Sequence, residues 1–212
     1  MKKWAVAAMG LFLFLGNSAW GQDMEATTND GRAVILMENH TWRFAETSSG
    51  GSAPSEPYKI PASSTRLVRS TRGDFGVWLD SSKWRIQRRK QSPDTMFEFQ
   101  HKNGDAYAMV IAERITVPLK ALRQVAIDNV KSVGKKTRVV REEKRMVNGH
   151  EVLLMKITTV IQFIPFVYYN YYYTGKIGSI QIITYTGANL FEEYKADFED
   201  LLNGFVILGK RR

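Results

Sequence analysis

From residue 73 onward the apolar positions alternate with a period of two, and only twice do they switch to helical spacing. Asp74 to Leu79, Trp84 to Arg88, Thr95 to Gln100 and Tyr107 to Glu113 read as strands, separated by turn residues at Ser81-Ser82, Ser92-Pro93-Asp94 and Asn103-Gly104. Pro118 then stands at a first helical position, and Leu119, Leu122, Ala126, Val130 and Val133 recur at helical spacing up to Gly134. Alternation resumes in Thr137 to Arg145 and Glu151 to Gln162, joined at Asn148-Gly149, the strongest two-residue hairpin signal. Two more strands, Val167 to Thr174 and Ser179 to Thr186, flank Gly175 to Gly178. A second helix is predicted over Asn189 to Leu202, capped by Asn189, with Phe191, Tyr194, Phe198 and Leu201 facing the core, and Phe205 to Leu208 closes the domain. The order β4-α-β4-α over residues 73–208 predicts an α+β domain in which one antiparallel sheet is covered by two helices.

Ahead of this domain the pattern changes twice. Residues 22–44 predict a small β-hairpin: Asp30-Gly31 is a turn, Ala33 to Met37 an apolar run, and Thr41 to Phe44 alternates with Trp42 and Phe44 on one face. An isolated two-stranded hairpin is marginal in water, so Trp42 and Val34 need something to pack on. Residues 45–72, with Ser48-Ser49-Gly50-Gly51-Ser52 and Pro54, Pro57 and Pro61, predict a flexible linker in which only Tyr58 to Ile60 is expected to dock as an extended strand.

The first 21 residues have a third pattern. Lys2 and Lys3 precede an apolar run from Trp4 to Leu15, and Ala19-Trp20-Gly21 supplies a small-residue exit, the arrangement of a secretory signal peptide with cleavage before Gln22. The apolar run is well short of the roughly 20 residues that a helix needs to cross a bilayer, so the mature product is not expected to be an integral membrane protein. The chain has no cysteine, which removes thiol catalysis, disulfides and thiolate metal ligation, and a disulfide-free exported protein of this size suits a bacterial periplasm.

Two features resemble known elements. The segment from Asp30-Gly31-Arg32 to Thr41-Trp42 resembles a short element that recurs at the start of exported bacterial proteins, although Asn39-His40 stands where that element has Asp-Gly. The element order from Phe75 to Leu208, with Tyr185-Thr186-Gly187 leading into Phe191 and Tyr194, resembles the PsbP fold, shared with a small yeast nuclear-import factor that binds the GTPase Ran and similar to the envelope protein DcrB. Members of that fold group mostly act as binding or accessory modules, and the resemblance implies no more than that.

Charge then narrows the partner. The whole chain carries 30 basic and 21 acidic residues, a net charge of +9, and removing the leader still leaves +7. In an envelope compartment the available polyanions are headgroups, polysaccharide and acidic proteins, so nucleic acid is not the expected partner. Two basic clusters stand out, one of Lys83, Arg85, Arg88, Arg89 and Lys90, the other running from Lys131 to Arg145 through Arg138 and Arg141. If their strands are neighbours, they form one positive face opposite an acidic terminal helix; otherwise they are solvated charge. The residues at 209–212 add a basic tail.

Catalytic chemistry finds little purchase. His40, His101 and His150 all fall at predicted turns, lack metal-ligand spacing and read as solvated side chains. No serine stands in G-x-S-x-G, the pairs Glu142-Glu143, Glu192-Glu193 and Glu199-Asp200 read as solvated charge, and Gly175 to Gly178 lacks the rest of a phosphate loop. No cofactor or metal is expected. The tyrosine strand Tyr168-Tyr169-Asn170-Tyr171-Tyr172-Tyr173 is the most unusual local feature: one face packs on the core, and the other, bearing Tyr168 and Tyr172, is either a platform for a partner or a second packed face. The leading expectation is a non-enzymatic periplasmic binding module for a protein or anionic surface partner, with Tyr168, Tyr172, Arg88, Arg89, Arg138, Arg141 and Trp42 as contacts. A small-ligand or lipid carrier requires a deep apolar cavity, and a hydrolase requires His101 or His150 beside a carboxylate and a serine.

Overall fold

The computed structural model describes residues 24–27, 33–36, 42–44, 57–87 and 95–209, the first three stretches as backbone only. The expected leader, Arg88, Arg89, the side chain of Trp42 and residues 210–212 of the tail lie outside the described residues. The chain divides into two units, Met1–Ser55 and Glu56–Arg212.

In the first unit, β1 (Met24–Thr27), β2 (Ala33–Leu36) and β3 (Trp42–Phe44) form an antiparallel sheet in that order. The hairpin read from Ala33 to Phe44 is the β2–β3 pair, with Val34 opposite Phe44 and Leu36 opposite Trp42. It is not a lone hairpin: β1 pairs along the other edge of β2, Met24 opposite Leu36, and so satisfies backbone groups that two strands would leave open.

The described residues of the second unit hold ten strands and two α-helices. Seven strands make one antiparallel sheet: β6 (Trp84–Ile86), β7 (Thr95–His101), β8 (Ala106–Glu113), β9 (Lys135–Val147), β10 (His150–Ile161), β11 (Ile164–Gly175) and β12 (Gly178–Gly187), in the order β6-β7-β8-β12-β11-β10-β9. A second sheet, ordered β13-β5-β4, is formed by β4 (Arg66–Arg69), β5 (Phe75–Leu79) and β13 (Phe205–Ile207). The expectation of a single sheet is therefore corrected to two, and the region read as linker contains a strand, β4, at its end. The cause lies at Asp80. Its carboxylate accepts hydrogen bonds from the backbone N–H and hydroxyl of Ser82, and its carbonyl accepts from the Trp84 N–H, so the chain turns sharply after β5 and β6 joins the large sheet instead of continuing beside β5. With β6 gone, the edges of β5 are taken by β4 and β13.

Each helix covers one face of the large sheet. Helix α1 (Leu119–Val133) buries Leu122, Ala126, Ile127 and Val130 against Leu153, Met155, Ile157 and Tyr172. Its stripe runs through Ile127, while Val133 at its end is exposed. Helix α2 (Phe191–Asn203) buries Phe191, Tyr194, Phe198, Leu201 and Leu202 in the larger core, shared by the opposite face of the sheet and by β5 and β13. Asn189 is not its cap: it lies in a short 3-10 turn, Ala188–Leu190, and Glu192 and Glu193 in the first helical turn complement the helix dipole instead. Gly204 ends α2 against β5 so closely that a Cβ there would lie 1.9 Å from the Trp78 carbonyl oxygen. Among the described residues no helix is long and apolar enough to cross a membrane.

Candidate binding surfaces

The tyrosine strand is now β11, and its two faces meet different helices. Tyr169 and Tyr171 are buried in the larger core, and Tyr172 is equally buried beneath α1. Tyr172 is thus withdrawn as a partner contact, because α1 occupies the face that would have presented it. Tyr168, half-buried, instead ends a row of phenols that crosses three strands. Its ring centroid lies 5.6 Å from that of Tyr185, which stacks at 5.4 Å on Tyr107, its partner on β8. Beside this row Gln100 accepts from Arg85 and Gln87, at 2.9 and 2.7 Å, and a hollow of about 430 Å3 is lined by these glutamines, Tyr107 and Tyr185. Burial pushes the Tyr185 phenol up to about 12, so it is neutral at ordinary pH.

Among the described residues the two basic clusters do not merge. Strands β6 and β9 are the opposite edges of the seven-stranded sheet, so a positive face built from both is excluded by the strand order. Lys83 is spent on the acidic helix, with its Nζ 2.6 Å from Asp197 and 3.7 Å from Asp200. On β9, Arg141 is exposed but bound to Glu143 at 2.8 Å, whereas Arg138 is exposed and in no ion pair among the described residues.

Arg145, on the same strand, is a different matter. Only 4% exposed, it donates from Nη1 to the Tyr171 hydroxyl (3.0 Å) and from Nη2 to the Tyr169 hydroxyl (3.2 Å), while Nε meets Glu143 at 2.5 Å. Each phenol in turn donates a hydrogen bond to α2, Tyr169 to the Glu199 carboxylate and Tyr171 to the Asn203 side-chain oxygen, both at 2.8 Å. The guanidinium also lies 4.5 Å from the ring centre of Tyr58, whose backbone bridges β9 in parallel through Tyr58 N–H to the Met146 carbonyl and Asn148 N–H to the Tyr58 carbonyl. Burial alone would weaken the charge of Arg145, but Tyr171, Glu143 and Tyr169 outweigh it and hold the group protonated. This network ties β9, β11, α2 and the Tyr58 segment together, and it is structural.

Burial likewise opposes ionisation of Glu143, yet the hydrogen bonds from Arg141 and Arg145 prevail and lower its affinity for a proton below the ordinary value of 4.5. A depressed carboxyl stabilises the fold above its unfolded-state value and loses that contribution as pH falls through the folded-state value. In urea denaturation, the stability gap between the native chain and Glu143→Gln is therefore expected to be full at pH 7 and to close as the pH falls below about 4.5. A gap independent of pH would refute the pairing.

The hydrolytic arrangement does not assemble around His101. The expected solvated turn histidine is in fact buried, edge-on to Trp84 and Tyr194 at centroid distances of 5.2 and 5.0 Å. Its Nδ1 accepts from the Asn103 N–H, and its Nε2 lies 3.2 Å from the Asp197 carboxylate without making a hydrogen bond among the described residues. His150 stands edge-on to Tyr173. Among the described residues no group of three or more potential ligands is placed to hold a metal ion.

What the sequence did not reveal is a cationic hollow at the far end of the domain. The loop between β4 and β5, the end of β8 and the β11–β12 turn bring Arg69, Arg72, Arg114 and Lys176 around an open space of about 980 Å3, with Asp74 the one acid in its lining. Arg72 is anchored: it lies 3.1 Å from Asp74, donates to the Ile177 carbonyl at 3.3 Å and rests 5.6 Å from the Phe75 ring centre. Asp74 in turn accepts from the Ser70 hydroxyl. Arg69, Arg114 and Lys176 are exposed and in no ion pair among the described residues. The three segments are far apart in the chain, and no run of basic residues marks them.

No family model and no curated protein matches this chain. Solved structures do. The solution structure of cyanobacterial PsbP (CyanoP) from Synechocystis sp. PCC 6803 is similar at a TM-score of 0.51 with 13% identity, over 70% of this chain and 95% of that one. LpqN, involved in cell envelope biogenesis of Mycobacterium tuberculosis, aligns at a TM-score of 0.43 with 7% identity, over 73% of this chain and all of LpqN (100%). PA94 from Pseudomonas aeruginosa, a putative regulator, aligns at 0.44 with 8% identity, over 68% of this chain and 98% of that one. The expectation drawn from the element order holds: the second unit of this chain has a PsbP-like fold.

Proposed function

We propose that this protein is an exported, non-catalytic binding module that receives the negatively charged groups of an acidic partner protein in the hollow formed by Arg69, Arg72, Arg114 and Lys176. The observation that carries the reading is the convergence of four cations from three separate segments on one hollow with a single acid. Three of them have no ion-pair partner among the described residues, and Arg72 is held in place by Asp74 and the Ile177 carbonyl. An oriented set of guanidinium and ammonium donors recognises carboxylates through charge-assisted hydrogen bonds. The basic leader pattern of Lys2 and Lys3 ahead of an apolar run supports export, and the burial of His101 between Trp84 and Tyr194, away from solvent, supports a role without catalysis. Four cations stand around the larger hollow and two glutamines beside the smaller, donors that suit a charged or polar partner better than an acyl chain.

The test is binding of a fluorescein-labelled polyglutamate peptide, followed by anisotropy at low salt. Arg114→Glu/Lys176→Glu is expected to weaken it about tenfold or more, since removing a charge-assisted hydrogen bond costs on the order of 1.5 kcal/mol. Both residues are exposed, so the melting temperature should stay within a degree or two of the native chain (about 0.5 kcal/mol or less). Unchanged affinity in the double variant would remove the hollow as the site.

A further inference from the structure

The turn between β10 and β11 is built against the preferences of its own residues. Ile161 pairs with Ile164, so Gln162 and Phe163 form a two-residue loop, with φ of +48° and +69°. This turn geometry is the province of Asn-Gly and Asp-Gly, and the chain uses that solution at Asn148-Gly149, where φ is +47° and +82°. At the β10–β11 turn it places a phenylalanine in the left-handed region instead, where a Cβ crowds the backbone. The ring is 97% exposed, and the next residue, Ile164, is 55% exposed. Backbone strain and an apolar tip in water both oppose the isolated fold, and no described contact offsets them.

The surroundings of the tip are cationic. The end of α1 meets β10 at Gly134, where a Cβ would lie 2.1 Å from the Thr159 hydroxyl oxygen, and β9 begins beside it with Lys135 opposite Val160. Lys131, Lys135, Lys136 and Arg138 therefore gather at this end of the sheet with Val133, itself 58% exposed. All four cations are exposed, and none is in an ion pair among the described residues; Glu192, on the first turn of α2, is already paired with Lys156 at 3.7 Å.

We propose that this hairpin tip docks the protein on an anionic phospholipid bilayer, with Phe163 and Ile164 entering the boundary between headgroups and acyl chains and the four cations lying among the headgroups. An apolar projection collared by free cations complements a surface that is negative outside and hydrocarbon beneath, and a bilayer has that layering where the acidic face of a folded protein does not. The inference is independent of the hollow. β11 runs 12 residues, about 40 Å, from the tip at Ile164 to Gly175 beside the hollow, so the two surfaces sit at opposite ends of one strand.

Because the chain has no cysteine, a single introduced thiol can be labelled without ambiguity. In the full-length protein, Pro165→Cys carrying an NBD fluorophore reports on the tip and leaves Phe163 in place, and Lys176→Cys reports on the far end of β11. Mixed with phosphatidylglycerol-containing vesicles, the label at 165 is expected to shift to the blue and to be quenched by acyl-chain nitroxides, while the label at 176 remains aqueous. Phe163→Gly in the Pro165→Cys background is expected to weaken the titration about tenfold or more and to raise the melting temperature, since glycine relieves the strained turn. Lys135→Glu/Lys136→Glu should abolish the shift, and vesicles of phosphatidylcholine alone should give little. A label at 165 that stays aqueous on anionic vesicles would overturn the proposal and leave the tip to a protein partner. So would a Phe163→Gly variant that binds as the native tip does.

Discussion

Arg145→Met is expected to destabilise the second unit by about 3–5 kcal/mol, the cost of removing one member of a buried, hydrogen-bonded charge network. Methionine fills much of the volume, so the loss is electrostatic more than steric. Two phenols lose a donor, Glu143 loses its 2.5 Å partner, and Tyr58 loses the cation over its ring. The predicted signature has two parts. Urea denaturation should show the loss of stability, and limited proteolysis should show new cleavage near Tyr58, whose strand-like docking on β9 rests on that cation and on two backbone hydrogen bonds. Lysine at 145 keeps the charge but lacks the fork that serves both phenols and should recover only part of the loss. A cost below about 1 kcal/mol for Arg145→Met would show that the network is incidental.

A second large effect is expected at Asn148. Its side chain joins four segments: Nδ2 donates to the carbonyls of Asn203 and Phe205 at 2.8 and 2.7 Å, and Oδ1 accepts from the Ile60 N–H at 3.0 Å. Its backbone, at φ +47°, is in the left-handed region that asparagine tolerates. Asn148→Ala should cost about 3 kcal/mol, from the loss of three hydrogen bonds and a backbone conformation alanine resists. Asn148→Gly separates the two contributions, because glycine accepts the backbone angle and loses only the side-chain bonds. If glycine restored full stability, the side-chain bonds would carry nothing and the turn conformation everything.

Asn148 also shows where reading along the chain reaches its limit. As a member of an Asn-Gly pair it announces a hairpin, and the structure has that hairpin between β9 and β10. Nothing local tells that its amide reaches the end of α2, the start of β13 and the Tyr58 segment, because those bonds span 55 to 88 residues. The partner turn at Gln162-Phe163 is legible only as a break between strands ending at Gln162 and beginning at Val167, not as a two-residue turn. Neither residue favours positive φ, so the sequence reads as a strand running into an apolar loop. Likewise Arg66 to Arg69 reads as part of a linker, since four residues beside a run of serine and threonine carry no clear period, and they become a strand only because β5 needs a partner on that edge.

The candidate surfaces divide in the same way. Alternation places Tyr172 and Tyr168 on one face of an aromatic strand, but whether that face met solvent depended on where α1 came to rest, and it came to rest on Tyr172. The two basic clusters are visible as composition, whereas their separation onto opposite edges of a seven-stranded sheet is a property of strand order. The hollow of Arg69, Arg72, Arg114 and Lys176 left no trace in the sequence, because each segment contributes one or two cations from a different turn.

By itself the sequence determined the positions of nearly all the strands and both helices of the second unit, the core residues of α2 and the PsbP-like element order, because periodicity and turn chemistry act over a few residues and are written locally. Only the tertiary structure decided that the strands form two sheets, that Arg145 and Asn148 hold distant segments together, and that cations and an exposed phenylalanine gather at opposite ends of β11. Those outcomes depend on which local elements can bury one another's apolar faces and satisfy one another's backbone edges, a condition met over the whole chain at once.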